Sequence, residues 1–242
     1  MRAAWIALAA ALALRLVLAA GLPLLDDEAY YWVWSRQLAA GYFDHPPAIA
    51  WLVRAGTALL GHTELGVRLW PVVAGVVAVA LLLPHARDPL RFVFLSLGVP
   101  LYALGGILAT PDVPLLLGWA LALRGCMSRQ WLALGLGLGV AGLGKYTGYG
   151  LGPLLLAWIL WTRSWALLPG IVLGCLLWTP NVAWNAAHEW VSIGFQLGHG
   201  LDRPPAGALA FFGDQVALAG PVFFLVFLGW GLRRHRGADL LL

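Results

Sequence analysis

Long apolar segments separated by short polar stretches make up most of this 242-residue chain. Segments apolar enough to cross a membrane run over residues 3–25, 66–84, 91–109, 113–125, 130–147, 149–163, 165–183 and 214–232. A helix that crosses a bilayer at right angles needs about 20 residues, so the shorter segments must tilt or have buried ends. The pattern predicts an all-α polytopic membrane protein with about eight transmembrane helices.

The apolar segment 47–61 does not fit this series, because it is short and has Arg54 at its centre. These properties favour a helix that lies at the membrane interface over one that crosses the membrane. With this assignment the arginines concentrate on one side of the membrane, as the positive-inside rule requires, and most acids lie on the other. We therefore expect cytoplasmic termini, a first periplasmic loop over 26–65 with interfacial helices, and a late periplasmic loop over 184–213.

Composition excludes a soluble domain. Hydrophobic residues make up 61% of the chain and charged residues 11%, whereas soluble domains have about 25% charged residues. The net charge of +4 comes from basic residues that are scattered singly, so no nucleic-acid partner is expected. Two cysteines do not predict a disulfide framework. The first apolar segment is interpreted as an uncleaved membrane helix, and Arg15 within it is expected to face the helix bundle or to snorkel.

Acidic and aromatic residues concentrate directly after this first apolar segment. Residues 26–34 read Asp-Asp-Glu-Ala-Tyr-Tyr-Trp-Val-Trp, and residues 42–47 read Tyr-Phe-Asp-His-Pro-Pro. A solvated loop has no need for four Tyr or Trp side chains beside a cluster of carboxylates. A site for a carbohydrate or a lipid phosphate at a membrane face would use both, and Tyr30, Tyr31 and Asp44 are candidate substrate-binding residues for that reason.

Three later stretches complete a pattern that is found in one enzyme family. They are Ala109-Thr-Pro-Asp-Val-Pro-Leu115, Gly144-Lys-Tyr-Thr147, and residues 184–200 with Trp-Asn-Ala-Ala-His-Glu-Trp at their start. Together with the two stretches of the first loop, the chain resembles the GT-C glycosyltransferases of the protein mannosyltransferase and aminoarabinose transferase superfamily, in its bacterial family 39 branch. The resemblance implies a GT-C type helical bundle in the bacterial inner membrane, with one transmembrane catalytic module over 1–242. Members usually continue further, so we expect a truncated product or little more than the shared module.

The resemblance also implies a reaction. A sugar would move from a polyprenyl-phosphate donor to a lipid, glycan or protein acceptor at the periplasmic face, with inversion. Asp27 is implied as the general base, which must activate the acceptor hydroxyl, with Glu28 beside it and Asp112 as a further catalytic acid. His45 is implied at the donor phosphate, where relatives have lysine or histidine.

Other candidates come from residue chemistry. Lys145, at the outer end of a predicted span, suits a contact with the donor phosphate better than snorkelling. The late loop offers side chains suited to sugar recognition, namely Asn185, His188, Trp190, Gln196 and His199. Two histidines also suggest a metal, but their spacing is not that of ligands on one helix. No cofactor is expected, with a divalent cation as the alternative, because some GT-C enzymes use one.

Alternatives remain at several positions. Asp26 and Asp112 can each be helix caps. The glycine-rich tract 135–152 predicts close helix packing, and a phosphate-binding loop is rejected because Tyr146 stands where Ser or Thr would bind magnesium. A transporter or flippase, or a non-catalytic binder of lipid-linked sugar, is the alternative to an enzyme.

Overall fold

The computed structural model describes residues 1–201 and 207–220, and within these ranges the regular structure is helical, without strands. The helices are α1 (Arg2–Gly21), α2 (Asp26–Arg36), α3 (Ala48–Leu60), α4 (Glu64–Leu82), α5 (Pro89–Gly98), α6 (Pro100–Gly105), α7 (Asp112–Met127), α8 (Trp131–Gly144), α9 (Leu151–Thr162), α10 (Leu168–Ala187), α11 (Val191–Leu201) and α12 (Ala208–Ala219). The predicted all-α fold is confirmed.

Three helical stretches of the described residues are long and apolar enough to cross a membrane. They are Arg2–Gly21, Glu64–His85 and Trp165–Ala187. Each coincides with a predicted span, and the helices α7, α8 and α9 occupy three further predicted spans, α7 slightly longer than predicted and α8 and α9 shorter. Arg15 is 5% exposed and donates to the carbonyl of Tyr102 at 2.7 Å, so it faces the bundle, one of the two predicted placements.

Two predicted elements need correction. The expected single helix over 91–109 is divided into α5 and α6, because Pro100 has no backbone N–H and forces Val99 into an extended conformation with ψ 124°. Asp26 is not the cap of α2, since it already belongs to the helix and Leu25 precedes it in the capping position. The predicted span 214–232 lies largely outside the described residues; α12 covers only its beginning.

The first loop folds into a packed layer built on α2 and α3. Buried Ile49, Ala50 and Val53 of α3 form one apolar cluster with Tyr31 and Trp34 of α2. The exposed face of α3 carries Arg54. This amphipathic arrangement agrees with a helix that lies along a surface, and its interfacial position stays a prediction.

Close packing of α7, α8 and α10 confirms the interpretation of the glycine-rich tract. A Cβ atom at Gly118 or Gly137 would overlap the backbone of the facing helix in the α7–α8 pair. On the opposite face of α8, a Cβ atom at Gly135 would lie 2.8 Å from the carbonyl of Gly170 in α10. Small residues let membrane helices approach in this way. Because α7 and α8 run antiparallel, the beginning of α7 meets the end of α8.

Candidate active site

A buried ion pair joins α4 to α2 at the site. Arg68 of α4 and Glu28 of α2 are 0% and 1% exposed. Arg68 Nε lies 2.8 Å from Oε1 of Glu28, and Arg68 Nη2 lies 2.5 Å from Oε2. The remaining N–H groups of Arg68 donate to the carbonyls of Ala19, Leu22 and Pro23, where α1 ends. A buried arginine is tolerated when all five donors are satisfied in this way.

Glu28 links this ion pair to the segment that precedes α7. Its Oε1 accepts the backbone N–H of Ala109 at 2.9 Å, and its Oε2 accepts that of Leu25 at 3.0 Å. Burial raises the pKa of Glu28, but the hydrogen bonds from Arg68, Ala109 and Leu25 outweigh it, so the pKa stays below its ordinary value. Glu28 is therefore ionised and enclosed. A direct catalytic role, as expected from the sequence, does not fit this burial, and the geometry makes Glu28 a positioning residue.

Asp27, the preceding residue, faces solvent instead. It lies in the first turn of α2, where the positive end of the helix dipole favours a negative charge. Its carboxylate borders a small surface depression lined by residues 24–27. The Asp27 side chain is thus accessible to a substrate, whereas that of Glu28 is buried.

Asp112 and Lys145 form a second ion pair, at the meeting point of α7 and α8. Lys145 Nζ lies 2.8 Å from Oδ1 of Asp112, and the side chains are 30% and 53% exposed, respectively. Asp112 lies in the first turn of α7, and Lys145 follows directly after α8. An exposed pair of this kind contributes only about 0–1 kcal/mol. Lys145 can therefore exchange this partner for another anion at little cost.

The side chains of the first loop complete a cluster of charges. Burial lowers the pKa of His45, and the charge of Lys145 lowers it further, while those of Asp44, Asp112 and Asp27 raise it. Burial raises the pKa of Tyr31 above its ordinary value, and the charges of the same three carboxylates raise it further. Asp27, Asp44, Asp112 and Lys145 therefore lie close enough to His45 for their charges to act on it, around one space.

Aromatic rings form one wall of this space. The rings of Trp34 and Tyr42 are stacked, with centroids 4.5 Å apart and an interplanar angle of 3°. Tyr30 OH lies 3.5 Å from Oδ1 of Asp44. Burial raises the pKa of Asp44, and the charge of His45 partly offsets this rise. His45 Nδ1 is buried and has no hydrogen-bond partner among the described residues, so this atom can take a proton without giving up another contact.

The late-loop candidates divide into buried and exposed residues. Asn185 is 1% exposed and donates to Tyr146 OH at 2.9 Å. Gln196 uses its amide to hold the backbone carbonyl of Asp44 at 2.7 Å. His188 is exposed and stacks on Trp184, with ring centroids 4.0 Å apart. Trp190 is 47% exposed. The remaining late-loop candidate, His199, lies in α11, and its side chain is outside the described residues.

An apolar groove extends away from the charged cluster along α7. Its volume is about 780 Å³, and it lies between α4, α5, α6 and α7. Thr110 and Asp112 border it at the end near the cluster, and Leu82 and Leu123 at the other. The site therefore combines charged groups with an adjoining apolar groove.

Several residues of the site were not identified from the sequence. Arg68 was not singled out, although it lies within the apolar segment 66–84, and a charged residue inside such a segment usually faces the protein interior. Asn181, Ser192 and Tyr146 were also missed, because nothing local indicates that their partners lie far away in the chain. Within the described residues no group of three or more His, Cys, Asp or Glu is placed to hold a metal ion.

Similarity to known proteins agrees with this geometry. Residues 44–184, more than half of the chain, match the family described as dolichyl-phosphate-mannose-protein mannosyltransferase. The lipid A galacturonosyltransferase RgtD of Rhizobium johnstonii is 30% identical over 87% of this chain and 50% of its own length. The undecaprenyl phosphate-α-4-amino-4-deoxy-L-arabinose arabinosyl transferase of Pseudomonas aeruginosa is 32% identical over 66% of this chain and 34% of its own.

The fold is similar to that of a solved structure as well. The crystal structure of ArnT from Cupriavidus metallidurans in the apo state superposes with a TM-score of 0.71, at 20% identity, over 96% of this chain and 51% of ArnT. This chain thus spans about half the length of the relatives that cover most of it. The fold is that of the GT-C glycosyltransferases, and the chain belongs to the dolichyl-phosphate-mannose-protein mannosyltransferase family.

Proposed function

We propose that this chain carries the active site of an inverting glycosyltransferase in the bacterial inner membrane. It would transfer a sugar from a polyprenyl-phosphate donor to a lipid acceptor at the periplasmic face. The observation that carries the proposal is the position of the charged cluster at the mouth of an apolar groove. A lipid-linked phosphate needs cations near its phosphate and an apolar groove for its chain. The name of the Pseudomonas relative contains such a donor, undecaprenyl phosphate, and that of the Rhizobium relative contains a lipid acceptor, lipid A.

Asp27 is the general base in this proposal. The acceptor hydroxyl gives its proton to the Asp27 carboxylate while its oxygen forms a bond to the anomeric carbon. The bond between that carbon and the phosphate oxygen breaks, and the phosphate leaves with the electron pair. Because the leaving phosphate is already acidic, no general acid is required. Single displacement inverts the configuration at the anomeric carbon.

Lys145 and His45 stabilise the departing phosphate. The Lys145 ammonium exchanges its exposed contact with Asp112 for the phosphate, and a charge developing at a low-dielectric membrane face gains more from such a group than it would in water. His45 contributes one N–H from a neutral imidazole, since burial lowers its pKa. The prenyl chain lies in the groove along α7.

The test uses the full chain in proteoliposomes. Undecaprenyl phosphate-linked 4-amino-4-deoxy-L-arabinose or galacturonic acid serves as donor, lipid A as acceptor, and released undecaprenyl phosphate is measured. A general base contributes about 10²–10⁴-fold, so Asp27→Asn should lose that factor. Asp26→Asn, which removes the neighbouring exposed acid, is the matched control and should keep activity. Transfer that survives in Asp27→Asn but not in Asp26→Asn would reject Asp27 as the base.

A membrane transporter or flippase is the alternative function. Against it, Asp27 and Asp112 lie in the first turns of α2 and α7 instead of in the middle of a long apolar helix. Movement of intact donor across the proteoliposome membrane, with no release of undecaprenyl phosphate, would favour transport.

A further inference from the structure

Two fully buried polar side chains reach from the late part of the chain to the first loop. Asn181 of α10 donates from Nδ2 to the carbonyl of Ala40 at 2.8 Å. Ser192 of α11 donates from Oγ to the carbonyl of Tyr42 at 2.6 Å. Both side chains are 0% exposed. They hold carbonyls that are two residues apart, just before the Asp44–His45 pair of the proposed site.

A third contact continues this series onto the proposed site itself. Gln196, one turn after Ser192 on α11, donates from Nε2 to the carbonyl of Asp44 at 2.7 Å. The indole of Trp184 packs on the same segment, because a Cβ atom at Gly41 would lie 2.5 Å from its ring. We call these side chains the α10–α11 clamp, which consists of Asn181, Ser192 and Gln196.

The turn between α10 and α11 sets the direction from which the clamp approaches. Glu189 and Trp190 both have positive φ, at 56° and 57°, which is uncommon for residues other than glycine. The turn is closed by the backbone N–H of Trp190, which donates to the carbonyl of Asn185 at 2.8 Å. Such a turn persists only where the surrounding contacts hold it. Here it turns α11 so that Ser192 and Gln196 face the first loop.

Helix α10 also contacts the side of the site that carries Lys145. Asn185, one turn after Asn181, donates to Tyr146 OH at 2.9 Å, and Tyr146 directly follows Lys145 in the chain. α10 therefore bonds to the loop that carries His45 and to the turn that carries Lys145. The spacing of Asn181 and Asn185 on one rigid helix relates these two parts of the site.

We propose that the α10–α11 clamp positions the Asp44–His45 segment relative to Lys145. In this arrangement His45 and Lys145 can contact the same donor phosphate. The proposal rests on the proposed function and assigns positioning roles to Asn181, Ser192 and Gln196. It also changes the expected role of Gln196 from sugar recognition to holding the loop. Ser192 and Asn181 cannot touch a substrate directly, because neither is exposed.

The first experiment compares two buried serines. Ser192→Ala removes a hydrogen bond between elements that are far apart in the chain, and Gln196→Leu removes the next one. Ser35→Ala is the matched control, since Ser35 is 1% exposed and its hydroxyl donates to a carbonyl within its own helix, that of Trp32, at 2.7 Å. A misplacement of about 1 Å costs up to about 100-fold in rate. We therefore expect kcat to fall about 10- to 100-fold in the clamp variants, with KM for the donor changed less than kcat.

The second experiment replaces the lost hydrogen bond with a chemical cross-link between the first loop and α11. Phe43 and Phe195 touch across the same interface, with ring centroids 5.1 Å apart. In a background of Cys126→Ser and Cys175→Ser, the substitutions Phe43→Cys and Phe195→Cys provide two thiols, which a short, cleavable bifunctional reagent joins. In the Ser192→Ala background this link should recover most of the lost kcat, and cleavage of the reagent should abolish the recovery. A general loss of stability would not respond to such a local link.

The outcomes separate this proposal from the function on which it rests. If wild-type protein neither binds undecaprenyl phosphate nor transfers sugar, the proposed function fails. If wild-type protein transfers sugar but Ser192→Ala and Gln196→Leu match Ser35→Ala, the clamp is rejected and the function stands. Loss of rate that the link does not restore also rejects the clamp.

Discussion

Oε1 of Glu28 accepts the backbone N–H of Ala109 at 2.9 Å, although 81 residues separate the two in the chain. Asp27 precedes Glu28, and Asp112, the first residue of α7, follows Ala109 by three residues. This hydrogen bond therefore sets the distance between the proposed base and the acid that holds Lys145. The second partner of Glu28, Arg68, extends the same connection to the end of α1. The relative positions of the exposed acids Asp27 and Asp112 thus depend on the buried acid Glu28.

Glu28→Gln should destabilise the protein severely. The substitution leaves the Arg68 guanidinium buried without a counter-charge, and breaking a buried pair in this way costs about 3–5 kcal/mol. We expect a large drop in the thermal unfolding midpoint in detergent and a low yield of folded protein. Asp26→Asn, an exposed change on the same helix, should change stability by no more than about 0.5 kcal/mol. An unfolding midpoint of Glu28→Gln equal to that of wild type would show that the ion pair does not hold α2 in place.

The response of donor binding to pH should depend on His45. Burial lowers the pKa of His45, so the imidazole is neutral at neutral pH and becomes a cation only as the pH falls through that lowered pKa. The affinity of wild-type protein for undecaprenyl phosphate should therefore rise toward acid relative to that of His45→Lys, whose charge is fixed. The ratio of the two affinities cancels the ionisation of the probe itself.

His45→Gln measures what the neutral imidazole contributes. A hydrogen bond of about 0.5–1.5 kcal/mol corresponds to about 2- to 12-fold weaker binding at neutral pH. His62→Gln, a change at an exposed imidazole that contacts Trp32 and Arg36, is the control and should leave the affinity and its pH dependence unchanged. An acid-side rise that persists in His45→Gln would assign that rise to another group.

Lys145→Ala should weaken binding of undecaprenyl phosphate. A hydrogen bond to a charged group is worth about 1.5–3 kcal/mol, so the dissociation constant should increase about 10- to 150-fold. Lys145→Arg keeps the charge and should retain most of the affinity. Because the pair with Asp112 is exposed, unfolding stability should hardly change in either variant. Unchanged affinity in Lys145→Ala would leave the lysine as a partner of Asp112 alone.

Cysteine labelling tests the orientation in the membrane. In a background of Cys126→Ser and Cys175→Ser, single cysteines at Ala40 and Pro111 should react with a membrane-impermeant reagent added from the periplasm. A cysteine at Ser128 should not, because α7 separates Pro111 from Ser128. If the cysteines at 40 and 111 were labelled from opposite sides, α3 would cross the membrane and the proposed site would be divided.

The sequence predicted the membrane fold because apolar segments of sufficient length have few other uses. Asp27, His45 and Asp112 were predicted as site residues from the family resemblance, and Lys145 from its position at the outer end of a predicted span. The structure brings these four residues together, while their chemical roles stay predictions. The break at Pro100 could have been predicted from the proline alone.

The roles of buried polar residues were harder to predict. Glu28 was grouped with Asp27 because the two are adjacent, but successive residues of a helix point in directions about 100° apart, and one side chain is exposed while the other is enclosed. Asn181 and Ser192 have carbonyl partners 141 and 150 residues away. No local pattern identifies a partner at such a distance; only the folded arrangement of α10 and α11 does.

Lys145 is the only lysine of the chain, and this makes the site chemically addressable. Among the side chains of these 242 residues, an amine-directed acylating reagent has one target, Lys145, which lies beside the charged cluster. The lysine is 30% exposed, so the reagent can reach it when the site is empty, whereas a bound phosphate would cover it. Protection from acylation therefore reports occupancy of the site directly, in intact membranes and without any knowledge of which sugar the protein transfers.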